Sequence, residues 1–192
     1  MKCKLREMLT LIGLGLTALV VLPTHAQTTG VGPYYATPSW DQTLPAATRF
    51  IVLSNMNSEA VLDRETGLVW QRTAGDSTRN WFDSQHFDCM ISSTGGRMGW
   101  RMPQMHELLS LIAPRTPDGT PMLPPGHPFI INPAGGIPFR FWTASTDAKD
   151  TNWAFILDLN NPTGGFGEVV KTVNDAARAW CLRGGGDGID PR

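Results

Sequence analysis

The sequence predicts an α+β domain. Three observations point there: a β-hairpin pattern at residues 60–72, two helical patterns between residues 80 and 113, and several β-rich runs after a long proline-rich interval. Strands and helices arrive in blocks rather than in strict alternation. That order fits two helices packed on a twisted antiparallel sheet better than a parallel βαβ array.

Folded structure begins near Arg49, where "RFIVLS" reads as a short apolar strand. "AVLDRETGLVWQR" follows as a hairpin, two β-rich runs around a polar turn that ends in Gly67. In its second run Leu68 and Trp70 point one way, and Val69 and Gln71 the other. "NWFDSQHFDCMIS" has helical spacing, with Asn80 as N-cap and Asp83 in the first turn, where negative charge suits the helix dipole. Ordinary α-helical winding puts Phe82, His86, Cys89 and Met90 on one inward face and makes His86 a core histidine. Thr94-Gly95-Gly96 ends that helix. Pro103 opens the second at its first position, Met105, Leu108, Leu109 and Ile112 form its apolar stripe, and His106 lies on its polar side. Pro114 stops it, and residues 114–140 make a long, irregular, proline-rich excursion of the kind that is functional or disordered. "FRFWTAS", "NWAFILDL", "GEVVKTV" and "ARAWCLRG" then read as strands of one antiparallel sheet.

The N-terminus reads as an export signal. Lys2, Lys4 and Arg6 precede an apolar run from Met8 to Leu22, and Thr24-His25-Ala26 offers a cleavage site before Gln27. Pro23 and the shortness of the run argue against a retained anchor, so no stable membrane span is expected after cleavage. The expected organisation is a signal peptide at 1–26, an extended and partly docked leader at 27–47, the domain at 48–186 and a tail at 187–192, in the periplasm or outside the cell. The whole chain carries a net charge of −1. Loss of the basic signal peptide makes the remainder more acidic, which argues against nucleic acid as a partner. Past the cleavage point the cysteines are Cys89 and Cys181. They are either one disulfide or two buried thiols; an oxidising compartment and an even count favour the bridge. A loop of that length gains about 4 to 5 kcal/mol from closure.

Several of these stretches together resemble the Lcl C-terminal domain family, formerly catalogued as a domain of unknown function and widespread in exported bacterial proteins. The resembling pieces are "VLDRETGLVWQR", "NWFDSQHFDC", "GWRMPQMHELLSLI", "FWTAST", "NWAFILDL" and "AWCLRGG", in order from about Ala60 to Gly185. The resemblance implies a C-type lectin-like fold and a bridge between Cys89 and Cys181. It makes Trp100, Arg101 and Pro103 the hinge between the helices, with Arg101 pairing a carboxylate or helix-end carbonyls and Trp100 filling the gap to the sheet. The interval from Trp81 to Cys89 is one residue longer than the family pattern.

Chemistry finds little support. His86, His106 and His127 have neither the spacing nor the cysteines of a metal site, and there is no Gly-x-Ser-x-Gly elbow or phosphate loop. The terminal Gly184-Gly185-Gly186-Asp187-Gly188 run opens no helix. Asn160-Asn161-Pro162-Thr163 and Asp158 offer oxygens, but without the acidic partners or the Trp-Asn-Asp run of sugar-binding lectins they read as a turn. No resident cofactor is expected, calcium being the one candidate. "AWCLRGG" faintly resembles the reactive strand of formylglycine-generating enzymes, yet a structural bridge leaves no thiolate to react. The expectation is therefore a non-catalytic binding module for a carbohydrate or protein ligand, with adhesion as its setting. The alternative is an assembly component of an envelope complex, and the oligomeric state is left open. The recognition surface is expected on three loops: residues 114–140, 146–152 and 160–166. Its candidate residues are His127, Arg140, Trp142, Asp147, Asn152, Trp153, Asn160 and Asn161.

Overall fold

The computed structural model describes residues 29–30, 44–113, 123–132, 139–159, 165–174 and 176–184. Its architecture is α+β, with two curled sheets and few helices. The single antiparallel sheet expected from the sequence is in fact two, each of five strands among the described residues. In the first, β1 (Thr29–Gly30), β2 (Phe50–Leu53), β3 (Ala60–Asp63) and β4 (Val69–Gln71) lie side by side, and β10 (Leu182–Arg183) pairs with β4. The second runs β5 (Thr78–Arg79), β9 (Ala177–Arg178), β6 (Arg140–Thr146), β7 (Trp153–Asp158) and β8 (Phe166–Val170). Two pairings are parallel, β1 on β2 and β6 on β9.

"ARAWCLRG", read as one strand, is divided between the sheets. Arg178 pairs with Thr78 and Phe141 in the second, and Leu182 with Trp70 in the first. The crossing residues are pinned where they leave one sheet for the other. Trp180 donates its indole N–H to the Gln71 carbonyl (2.8 Å), and Gln71 donates its backbone N–H to the Cys181 carbonyl (2.9 Å). Trp180 also packs edge-on to Trp70 and Phe129.

Strand alternation in the hairpin follows the period-2 reading, but both faces are covered. Leu68 and Trp70 join one apolar cluster with Phe50, Val61, Phe141, Leu157 and Trp180. Val69 joins a second with Leu53, Leu62, Trp142, Ile156 and Cys181. Gly67, at φ 73°, closes the turn by donating its N–H to the Asp63 carbonyl. The buried Asp63 carboxylate is answered by Arg49 (2.7 Å), whose guanidinium also reaches Glu65 (2.9 Å) and the Ser110 carbonyl (2.6 Å). Arg49 ends a short helix α1 (Ala46–Arg49) ahead of the strand the sequence indicated, and Thr29–Gly30 pairs with β2.

The first helical segment departs most from expectation. Asn80 does cap it, accepting from the Asp83 N–H (2.9 Å). Helix α2 is only Trp81–Asp83; the chain then widens into a π-helix over Ser84–Met90, with the Ile91 N–H bonded to the His86 carbonyl. An α-helix turns about 100° per residue and the wider π-helix about 82°. Across the π segment the difference accumulates to about 90° by Cys89. Cys89 therefore lines up with Trp81 and Ser84 on the inner side. Phe82, His86, Phe87, Met90 and Ile91 share the outer side, where all five are exposed. The expectation that Phe82, His86 and Met90 face inward beside Cys89 is corrected for this reason, and His86 is not a core histidine. In a regular α-helix an interval of about seven residues would bring Cys89 into line with Trp81, and the wider turn accommodates the eighth.

Helix α3 (Met105–Leu109) begins after Gln104, so Pro103 sits just outside it rather than at its first position. Glu107 accepts the Gln104 N–H (2.7 Å), closing the N-terminus. Leu108 and Leu111 enter the core with Ile112 partly buried against them, while Leu109 is exposed. The chain turns through Ser110 and Leu111, one turn before Pro114, so the final apolar contacts come from Leu111 rather than Leu109.

Candidate functional site

The hinge residues are tied into the fold by packing and hydrogen bonds. Trp100 is buried in the second cluster, and its indole N–H donates to the Arg97 carbonyl (2.9 Å). Arg101 grips both oxygens of Glu107 (2.6 and 2.7 Å) and the Gly184 carbonyl (2.7 Å). Its backbone exchanges hydrogen bonds with Leu182. The Pro103 carbonyl accepts the Ala144 N–H (2.7 Å), and Ser145 accepts from Met105 and donates to Gln104, so α3 is locked to β6. Cys89 and Cys181 form the expected disulfide, Cα atoms 5.5 Å apart, with both residues buried. This ties the π-helix to the crossing segment.

The three loops expected to share one recognition surface do not. β6, β7 and β8 form a meander, and successive turns of a meander lie at opposite ends of the sheet. Arg140 starts β6, pairs with Asp158 at 3.0 Å, and lies at the end where β7 finishes and β8 begins. Asp147, Asn152 and Trp153 lie at the other end, about 20 Å away along the strands. Described parts of the proline-rich interval meet Arg178 at the Arg140 end: Arg178 donates to the Asn132 carbonyl (3.0 Å) and its guanidinium lies over Phe139 and Phe141. There His127 is half-buried beside Phe129, and its Nδ1 accepts the Phe129 N–H. Burial holds its pKa below the ordinary histidine value. Asn160 and Asn161 lie outside the described residues, as do residues 1–28, 133–138 and the tail. Trp142 is withdrawn as a ligand residue: it is fully buried and donates its indole N–H to the Arg79 carbonyl (3.0 Å).

The β6–β7 turn is held by its own acids: Asp147 accepts the Lys149 N–H and Asp150 the Asn152 N–H, each at 2.9 Å. The Asp147 N–H donates to the Trp153 carbonyl and the Trp153 N–H to the Asp150 carbonyl (each 3.0 Å). Asn152 is exposed and Trp153 half-buried, opposite Val170. On the opposite sheet face, Lys171 bonds Thr146 (2.9 Å) and sets its ammonium 4.4 Å from the Trp81 ring centre. The Lys171 backbone is tied to Asn152 and to Trp81 (2.8 and 2.9 Å), and Asn80 bonds Asn174 (3.1 Å). The sequence reading took Asn80 only as a helix cap and did not single out Trp81, Lys171 or Asn174 as site residues. The one available signal was a tryptophan directly after an N-cap, too common an arrangement to single out.

Among the described residues no three His, Cys, Asp or Glu side chains converge as a metal would require, and no helix is long and apolar enough to cross a membrane. The model of the Lcl C-terminal domain family matches residues 59–183. No curated protein and no solved structure matches the chain.

Proposed function

Because the chain belongs to the Lcl C-terminal domain family, we propose that it is an exported, non-catalytic module, C-type lectin-like in design, that recognises a carbohydrate. The observation that carries this reading is the rim at the β6–β7 turn. Trp81 and Trp153 stand half-buried on the two faces of one sheet end, with Lys171, Asn152, Asn80, Asn174 and Thr146 between and around them. Partly exposed indoles flanked by amide, hydroxyl and ammonium groups match what a sugar offers: an apolar C–H face and a ring of hydroxyls. The turn that carries them is braced by its own hydrogen bonds, so little ordering is left for binding. The buried disulfide and the lack of a membrane-crossing helix among the described residues are compatible with export.

A glycan array probed with and without calcium tests the reading. The expected result is binding to one glycan class that falls at least tenfold in both Trp153→Ala and Lys171→Ala, with unfolding temperature unchanged. Absence of any glycan signal, together with a stoichiometric envelope protein co-purifying with the native chain, would replace it with the assembly reading.

A further inference from the structure

We infer that His127 is an acid-operated latch: its neutral ring holds the 123–132 segment shut on the core, and its protonation releases that segment. The ring is half-buried and stacked on Phe129, centroids 5.9 Å apart, and its Nδ1 accepts the Phe129 N–H (3.2 Å). A neutral imidazole whose Nδ1 accepts carries its proton on Nε2. The next proton can therefore add only to Nδ1, the atom that holds Phe129. Once it is there, two N–H groups point at each other and the attraction is gone.

The bond holds a core aromatic in place. Phe129 is 6% exposed and packs edge-on to Phe50 and Trp180, at 5.1 and 5.0 Å. The backbone attachment of the segment is a narrow strip just past β4. The Ile130 N–H donates to the Arg72 carbonyl (2.8 Å), the Ala74 N–H to the Ile130 carbonyl (3.0 Å), and the Arg72 Nε–H to the Pro128 carbonyl (3.2 Å). None of these bonds is internal to a sheet, so the segment can open as a unit while both sheets stay paired. The surrounding charges do not favour an imidazolium. Arg72 is the cation beside the segment. Across Phe50 stands Arg49, answered by Asp63 and Glu65, and across Phe141 stands Arg178, which feels Asp76. Among the described residues no carboxylate pairs with His127, and burial holds its pKa below the ordinary 6.5. Closure is therefore complete above the open-state pKa and is lost as pH falls through the lower closed-state value. The latch lies at the Arg140 end, about 20 Å along the strands from Trp153, so acid would uncover aromatic surface there and leave the rim as it is.

Amide exchange of the exported chain, followed by NMR from about pH 7.5 to about pH 5 and corrected for the intrinsic rate, gives the test. The Ile130 and Ala74 amides should exchange at least about threefold faster at the acid end, with a midpoint that follows the His127 ring titration, while the β7 amides keep their protection. His127→Asn places a side-chain oxygen where Nδ1 stands, able to accept the Phe129 N–H but not to titrate, and should stay shut throughout. Exchange that is the same at both ends of the range overturns the inference. So does acid opening that persists in His127→Asn, or β7 amides that quicken in step with Ile130. Should His127→Asn not fold, the wild type decides: a ring that titrates at or above 6.5, or apart from the Ile130 opening, overturns it equally.

Discussion

Residues 81–91 and residues 104–112 both carry apolar side chains at helical spacing, yet they present opposite sides to the protein. The second segment buries Leu108 and Leu111 and turns His106 outward. The first buries Ser84 and Cys89 and turns Phe82, Phe87, Met90 and Ile91 outward. The second is rotated by its apolar residues, with Arg101 and Glu107 fixing its start. The first is rotated by what holds its ends: Trp81, whose indole N–H donates to the Thr143 carbonyl (2.8 Å), and the bond from Cys89 to Cys181. Apolar spacing therefore reports the inward face of a helix only where no stronger constraint sets its rotation. Burying the exposed halves of four such side chains would be worth about 3 to 6 kcal/mol, and the disulfide's loop closure is of the same order, so packing alone does not dictate the rotation.

The comparison breaks most completely if the bond is removed. Cys89→Ser with Cys181→Ser should lower stability by about 4 kcal/mol in denaturant unfolding. Amide exchange should quicken across 81–91 while α3 keeps its protection. Equal loosening of both segments would mean that the disulfide does not single out the first.

Cutting the other anchor is the next largest effect. Arg101→Ala leaves Glu107, 8% exposed, facing the hinge without its cation, and frees the Gly184 carbonyl. The expected cost is about 2 kcal/mol, with the disulfide intact.

Deleting Gln85 sharpens the contrast. An α-helix one residue shorter between Trp81 and Cys89 brings the thiol to the same inward direction that the π-helix achieves. Stability should change by less than about 1 kcal/mol, with the bond still forming; failure of the bond would refute the rotation argument.

The smallest effect concerns the buried polar side. Burial raises the Asp88 carboxyl above its ordinary value of 3.8, outweighing Arg79, and its Oδ2 is buried without a hydrogen-bond partner. The protonated form is thus favoured by the fold. That contribution is complete below the unfolded pKa and is lost as pH rises through the folded one. Asp88→Asn, neutral throughout, should match the wild type in acid and exceed it by less than about 1 kcal/mol at neutral pH, read from unfolding curves across that range. A variant that is less stable at neutral pH would show that the Arg79 pair outweighs desolvation.

Much of this fold was legible in the residues. The hairpin around Gly67, the Asn80 cap and the strand runs of β6 to β8 follow from local chemistry that two or three side chains express, whereas the disulfide was indicated by cysteine count, compartment and family resemblance. The one-residue excess between Trp81 and Cys89 was legible too, but its consequence was not. A single insertion can be absorbed as a loop, a bulge or a wider turn, and only the tertiary anchors choose among them. The division of "ARAWCLRG" between two sheets has the same cause: a strand run does not reveal which neighbours it will meet. For the site, alternation placed Asp147, Asn152 and Trp153 near one another because they adjoin in sequence. It misjudged Trp142, whose neighbours come from β5, and it joined two turns that a meander must separate.

The covalent tie also limits what a protease can do to this protein. It encloses the stretch from Cys89 to Cys181, a separation of 92 residues, in a ring that includes the proline-rich excursion. A protease that nicks the ring anywhere along that stretch yields two pieces that remain one molecule. Cleavage then shows only after a reductant is added, and the nicked form can keep its sheets together and continue to act.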